Sequence, residues 1–239
     1  MKKETASQLI DQVRKDYNRI ADHFAQTRSY QWYEVQHLLE QYVQPGQTVL
    51  DVGCANGRLA DVVQQIKGQY TGIDLSDELI RIARMQRPWA EFHVGNMMQL
   101  PFADNSFEYI FAVASFHHLP DEDSRIQCLE EMKRVVKPSG KIILTNWNLH
   151  QWKFSRLRRK FNRMRLLGKH DMGKNDVLVP WKNQDREVLA ERYYHGFTKK
   201  ELNRIAKKAG LRIEKQYYET RGLHVPRRKG QNIITILSQ

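Results

Sequence analysis

Two periods of apolar residues alternate along the chain. Short runs rich in β-branched and aromatic residues read as strands: TVLDVG (48–53), YTGIDL (70–75), AEFHVGN (90–96), FEYIFAVAS (107–115) and KIILTNWN (141–148). Between them, apolar positions recur at helical spacing in GRLADVVQQI, SDELIRIARMQ and DEDSRIQCLEEMKRVV, with Ser76 placed as an N-cap and KPSG (137–140) as a turn. Residues 6–24 and 32–42 predict two helices ahead of the first strand, and TKKELNRIAKKAG predicts a late helix ending at Gly210, followed by strands near 211–218 and 231–237. Strands alternating with helices imply parallel pairing through right-handed crossovers, hence a doubly wound α/β fold. The expected division is a helical cap over 1–44 and an α/β domain over 45–239, interrupted by a basic helical insertion at about 150–195.

Charge changes this picture in one respect. The net charge is +12, yet residues 1–150 hold 16 Lys and Arg against 19 Asp and Glu, so the whole excess belongs to the remainder. A one-sided excess of that kind points to a polyanion, nucleic acid or an anionic surface. Cys54 and Cys128 are the only cysteines, too few for a disulfide framework and without zinc spacing, so no metal is expected. The apolar runs fall short of the ~18 residues a membrane span needs, and the start of the chain lacks a signal-peptide core. A cytoplasmic protein is the expectation.

The candidate chemistry begins at the end of the first strand. In open α/β sheets ligands bind beyond the carboxyl ends of the strands. The loop Gly53-Cys54-Ala55-Asn56-Gly57 joins strand to helix there, with glycines for a tight turn and free amides at a helix start. It lacks both the Gly-x-Gly-x-x-Gly and the P-loop patterns, which disfavours a phosphate cradle. Asp74 closes the second strand, where a carboxylate accepts both hydroxyls of an unphosphorylated ribose. Asn96 and Met97 follow the third strand, placed to read an adenine edge.

In combination, VLDVGCANG, the acid of YTGIDL, NMMQLPFADNSFEYI and EEMKRVVKPSGKIIL resemble the class I S-adenosylmethionine-dependent methyltransferases over about residues 45–146. The resemblance implies a Rossmann-like, seven-stranded, mostly parallel sheet. It implies that Asp51, Gly53 and Gly57 shape the methionine pocket, with Cys54, Ala55, Leu75 and Ala112 beside the cofactor, Asp74 on its ribose and Asn96 with Met97 on its adenine. Ala55 stands where the family has a second loop glycine, and Asn96 where it has an acid. A narrower resemblance lies in YNRIADHFAQTRSYQWYEV, AVASFHHLPDEDSR and ERYYHGFTKKEL, which are similar to the tRNA wobble-uridine methyltransferases that esterify a carboxymethyl group. By that resemblance Tyr17 and Arg28 close over the methionine end of the cofactor, and His117, His118, Arg192, Tyr193 and His195 lie near the substrate.

Methyl transfer to a carboxylate asks little of a protein. The nucleophile is already ionised at pH 7, so alignment matters more than a base, and a cation that orients the carboxylate becomes the residue to find. Arg192 is the first candidate. In the insertion, Phe154, Leu157, Phe161 and Met164 form a helical stripe, and residues 151–174 hold nine Lys and Arg against one Asp. That helix, with the basic residues of 221–229 that include those of VPRRKG (225–230), is expected to meet tRNA phosphates. An anionic membrane surface and a solvated lid are the alternatives for the helix. For the chain as a whole they are a small-molecule, quinone-type methyltransferase and a non-catalytic nucleic-acid-binding protein. Some relatives need a small activating subunit, which makes one a candidate partner.

Overall fold

The inner parallel strands are buried because helices cover both faces of the sheet. In the computed structural model, which describes residues 1–28 and 33–239, the first five strands are β1 (Thr48–Val52), β2 (Gln69–Asp74), β3 (Glu91–Val94), β4 (Phe107–Val113) and β5 (Val136–Trp147). They run parallel in the order β3-β2-β1-β4-β5. β6 (Asp176–Lys182) and β7 (Val188–His195) form a separate antiparallel ribbon. β8 (Arg212–Thr220), the two-residue β9 (Leu223–His224) and β10 (Asn232–Ser238) complete the main sheet. There β10 lies antiparallel between β5 and β8. β9 adds a short eighth strand at the edge, beyond the seven expected.

The helices are α1 (Lys3–Arg19), α2 (Ala21–Thr27), α3 (Tyr33–Tyr42), α4 (Arg58–Gln65), α5 (Asp77–Gln86), α6 (Glu122–Val135), α7 (Ser155–Leu166) and α8 (Lys199–Lys208). Strand alternation sorts the core into two layers. Leu50, Ile110, Ile142 and Ile233 meet Leu129 and Met132 of α6 and Leu202 and Ile205 of α8 on one face. Val49, Ile143 and Ile234 meet Leu39 of α3, Val63 of α4 and Ile80 of α5 on the other. Ser76 caps α5 by accepting the Leu79 N–H at 3.2 Å. Asp121 and Thr198 cap α6 and α8 in the same way.

Three expectations need correction. The helix expected over 6–24 is two, broken at Ile20, whose backbone (φ −100°, ψ 6°) leaves the helical region. KPSG is a bulge inside β5: Phe107 pairs with Val136 and Tyr109 with Lys141, so the partner strand bypasses it. The insertion is helical only in its first half, because residues 176–195 form the β6–β7 ribbon. The start of the helix expected at residue 32 lies outside the described residues, as do positions 29–31 of the N-terminal motif.

The ribbon is anchored from beneath. His195 Nδ1 faces Asp176 Oδ1 at 2.6 Å and its Nε2 faces Glu201 Oε1 at 2.9 Å, while Arg125 reaches Glu201 at 3.4 Å. His195, Asp176 and Arg125 are all buried, and removing one member of a buried charged set strands the others. His195→Ala is therefore expected to cost about 3–5 kcal/mol of folding stability, read by urea denaturation; a loss below about 1 kcal/mol would show that the network does not anchor β7.

Candidate functional site

Backbone geometry builds the first part of the site. At the end of β1 the N–H groups of Gly53 and Cys54 both donate to the Ile73 carbonyl, at 2.7 and 3.0 Å. That ties the loop to the end of β2. Gly53 has φ +78°, and a Cβ there would lie 2.3 Å from Ser115 Cβ. Ala55 also sits in the left-handed region, at φ +51°, and its N–H donates to Asp74 Oδ2 at 2.8 Å. The Ser76 N–H donates to Asp74 Oδ1 at 2.9 Å. Asp74 is thus oriented by two backbone amides, with lone pairs left on both oxygens for a ligand.

These residues open onto a cavity of about 550 Å³, within the ~300–1,000 Å³ usual for small-molecule sites. Its floor holds Asp51, Gly53, Cys54, Ala55, Asp74, Leu75, Asn96, Met97, Ala114 and Ser115. Its roof holds Tyr17, Phe24 and Arg28 from the N-terminal helices, Arg192 and Tyr194 from β7, and Trp147 and Phe154 beside them. The donor set suits an adenosyl cofactor. A ribose hydroxyl pair can donate to Asp74, Leu75 and Met97 give apolar contact, and Asp51 gives an acid for a cationic end. Asn96 Oδ1 accepts the Met98 N–H at 2.9 Å, which fixes the amide and leaves that oxygen a second lone pair.

Other residues named from the sequence stand elsewhere. Gly57 opens α4 at φ +77°, and a Cβ there would meet the Phe92 ring at 2.6 Å; its place is explained by turn and packing. Ala112 is buried in the sheet core, and the cavity wall is supplied two residues on by Ala114. His117 is buried behind the cavity, its Nδ1 accepting the Trp147 N–H at 3.2 Å. Period-2 alternation along β7 decides the remaining two: Arg192 and Tyr194 face the cavity, whereas Tyr193 donates its hydroxyl to the Pro120 carbonyl at 3.2 Å and His195 joins the anchor described above. Tyr194 and Trp147, stacked at 4.8 Å and 10°, were missed, although the RYYH cluster contained the first.

Electrostatics distinguishes the polar groups. Burial holds the Asp51 carboxyl up at about 7, against the Tyr70 hydroxyl that donates to it at 3.0 Å. Burial pushes the His118 imidazole down to about 3. The Tyr193 carbonyl can only accept, so His118 Nδ1–H donates to it at 2.7 Å and His118 Nε2 accepts the Tyr17 hydroxyl at 3.0 Å. Arg192 is buried, and its guanidinium lies over the rings of Trp181 (4.5 Å), Tyr194 (5.2 Å) and Trp147 (6.0 Å). Its Nε has no hydrogen-bond partner, and it makes no ion pair among the described residues. Arg28 lies over the Trp181 ring as well, at 4.9 Å.

Comparison with known proteins agrees with this geometry. Residues 50–144 match the family model of a methyltransferase domain, Methyltransf_11. A Schizosaccharomyces pombe protein named tRNA (carboxymethyluridine(34)-5-O)-methyltransferase is 28% identical over 237 residues, 92% of this chain and 95% of that one. A Mus musculus protein named probable tRNA methyltransferase 9B is 31% identical over 71% of this chain, which spans only 33% of its length. A solved complex of a Haloferax volcanii putative methyltransferase with the Trm112 activator is similar in fold, at a TM-score of 0.65 and 18% identity, covering 93% of this chain and 96% of that one.

Two expected outcomes follow from the loop and its acid. Gly53→Ala should lose about 2–3 kcal/mol, since the methyl group must displace Ser115. Ala55→Gly should stay within about 1 kcal/mol of the parent, relief of the left-handed backbone being offset by a freer unfolded chain. Calorimetry of both variants checks the pair, and a Gly53→Ala protein as stable as Ala55→Gly would refute the account. Binding of a cationic cofactor favours ionised Asp51, so S-adenosylmethionine affinity should rise as pH increases through about 7. Calorimetric titration of Asp51→Asn should show that rise abolished; an unchanged pH profile would remove Asp51 from the site.

Proposed function

The chain belongs to the class I S-adenosylmethionine-dependent methyltransferases, and from that premise we propose that it methylates the carboxylate of a carboxymethyl-type uridine in tRNA, forming a methyl ester. The observation that carries the proposal is Arg192, a guanidinium buried in the cavity roof with an unpartnered Nε and no carboxylate within 4 Å among the described residues, the buried Asp16 acting on it only from further away. A buried guanidinium with a free donor is incompletely satisfied, and a substrate carboxylate would complete it through charge-assisted hydrogen bonds.

When bound, S-adenosylmethionine supplies a methyl group on a sulfonium, and the thioether is the leaving group. The remaining work falls to the chain. A carboxylate oxygen attacks with its own lone pair, so no proton moves and no general base is needed. His118 fits that demand: both ring nitrogens are committed, and its lowered pKa keeps it neutral, so it acts as a strut that fixes the Tyr17 hydroxyl. Arg192 spreads its charge over aromatic faces, and so orients the nucleophile without pairing with it as tightly as a buried carboxylate of the protein would. The aromatic side chains of the roof, Phe24, Trp147, Phe154 and Tyr194, line the space above the reacting atoms and reduce the water there.

The macromolecular substrate rests on charge and on the name of the fission-yeast relative. In the first part of the chain many cations are spoken for: Arg14, Arg81, Arg87 and Arg134 each have a carboxylate within 4 Å. Among the described residues, no Lys or Arg in 151–192 or 221–229 has one. That unpaired basic surface is the proposed tRNA contact, and a cytoplasmic site of reaction is part of the same proposal. No described helix is long and apolar enough to cross a membrane. The Haloferax methyltransferase was solved with an activator, and a small activating partner is part of the proposal for this chain.

Arg192→Ala and Arg192→Lys are both expected to lower kcat/KM on tRNA by roughly 10–150-fold, the range for a lost hydrogen bond to a charged group, while S-adenosylmethionine affinity stays within about twofold. The assay incubates tRNA from cells lacking the enzyme with labelled cofactor and identifies the labelled nucleoside by mass spectrometry. An alkali-labile uridine ester is the expected product; label on another atom, or parallel loss of cofactor binding in both variants, would sink the assignment.

A further inference from the structure

A run of nearly parallel aromatic rings leads from Arg192 to the outer part of the cavity. Tyr194 of β7 and Trp147 of β5 are stacked at 4.8 Å and 10°, and the Phe154 ring follows Trp147 at 6.5 Å and 23°. All three line the cavity. The inner end is filled by protein: Tyr194 is buried, and the Arg192 guanidinium lies over it at 5.2 Å and over Trp147 at 6.0 Å. The outer end differs. Trp147 and Phe154 are only half-buried, and their wider separation leaves more of each face uncovered.

Local structure fixes the outer ring. Phe154 ends a single turn of 3₁₀ helix, Trp152–Phe154, just ahead of α7, and its N–H donates to the Gln151 carbonyl at 3.2 Å. The Gln151 side chain ties that turn to the segments that follow β5 and precede β10: its Nε2 donates to the Asn148 carbonyl at 2.9 Å and to the Gln231 carbonyl at 3.3 Å. Lys153 of the same turn also lines the cavity, with its Nζ over the Phe154 ring at 5.1 Å and no carboxylate within 4 Å among the described residues. A half-exposed ring held in place beside a lysine suits a planar base carried on an anionic strand.

The distances connect this surface to the reacting end. A carboxymethyl arm extends a base by two C–C bonds of ~1.5 Å and a C–O bond of ~1.2 Å, and a charge-assisted hydrogen bond to a guanidinium adds ~2.8 Å. That reach covers the 6.0 Å between the Arg192 guanidinium and the Trp147 ring. We propose that Phe154, together with Trp147, is the stacking platform that holds the planar uracil of the substrate, so that its carboxylate arrives at Arg192. The proposal rests on the tRNA reading for the identity of the base and on the ring geometry for its position.

The test measures binding of short fluorescein-labelled oligonucleotides to the whole chain by anisotropy, with S-adenosylhomocysteine present so that no methyl group is transferred. The central residue is uridine, 5-carboxymethyluridine or 5,6-dihydrouridine, whose puckered ring offers no π-face. The parent should bind the uridine strand about tenfold more tightly than the dihydrouridine strand. Phe154→Tyr should keep that preference. Phe154→Leu, which keeps apolar bulk, should weaken the uridine strand about tenfold and leave the dihydrouridine strand within about twofold, while S-adenosylhomocysteine affinity stays within about twofold. A parent without the preference, or a preference that persists in Phe154→Leu, overturns the proposal. Equal losses on both strands, or Phe154→Tyr losing as much as Phe154→Leu, would mark a packing role and overturn it too. Should Phe154→Leu fail to fold, Phe154→Met, flexible and non-aromatic, takes its place. Failure of the substrate reading looks different: the preference for uridine over dihydrouridine remains, and the 5-carboxymethyl group confers no gain that Arg192→Ala removes.

Discussion

Burial of the Arg192 guanidinium without a carboxylate in direct contact is the constraint around which the upper half of this molecule is arranged. A charge taken out of water costs several kcal/mol unless something replaces its hydration. Here the replacement is three aromatic faces, from Trp181, Tyr194 and Trp147. Those rings come from β6, β7 and β5, so the ribbon must be held in register over the end of the main sheet. The buried Asp176, His195 and Arg125, with the half-buried Glu201, do that from the opposite face of β7. Successive residues of one strand therefore divide the labour, with Arg192 and Tyr194 facing the ligand and Tyr193 and His195 carrying the anchor.

That division explains what was legible beforehand. Strand identity, the β1 loop, Asp74 and the Ser76 cap follow from local rules of periodicity and turn chemistry, and the structure has them where those rules put them. The RYYH cluster was visible, but which tyrosine faces inward depends on what covers each face of β7, and that is a tertiary fact. The ribbon itself was hidden because DVLVPWK contains a proline and VLAERYYH mixes charged and aromatic residues, so neither gives a clean alternation. His117 and His118 differ in the same way. Adjacent in a single turn of 3₁₀ helix, they point to different sides, one to the Trp147 amide and one to Tyr17.

The departures from the family pattern also acquire physical content. Position 55 lies in the left-handed region where glycine is least strained, so alanine there costs conformational energy, while its amide still reaches Asp74. Asn96 spends one lone pair of its amide oxygen on Met98, which rigidifies the third strand's exit and leaves a neutral acceptor where an acid would leave a charge. Neither change closes the cavity or removes the carboxylate at the end of β2.

A reaction that needs no proton transfer shifts the burden of selectivity from acid–base chemistry to placement. Several polar groups near the roof are already committed: Tyr17 to His118, His118 to the Tyr193 backbone, Trp181 to His23 at 2.8 Å. Among the described residues, Arg192 Nε is a buried donor of the cavity roof without a partner. A neutral analogue lacking the carboxylate would leave that guanidinium desolvated and unanswered, whereas the correct substrate repays the desolvation in the bound state. Discrimination then arises from the penalty for leaving a buried cation unpaired, and the unpaired basic surface outside the cavity sets which strand is presented to it.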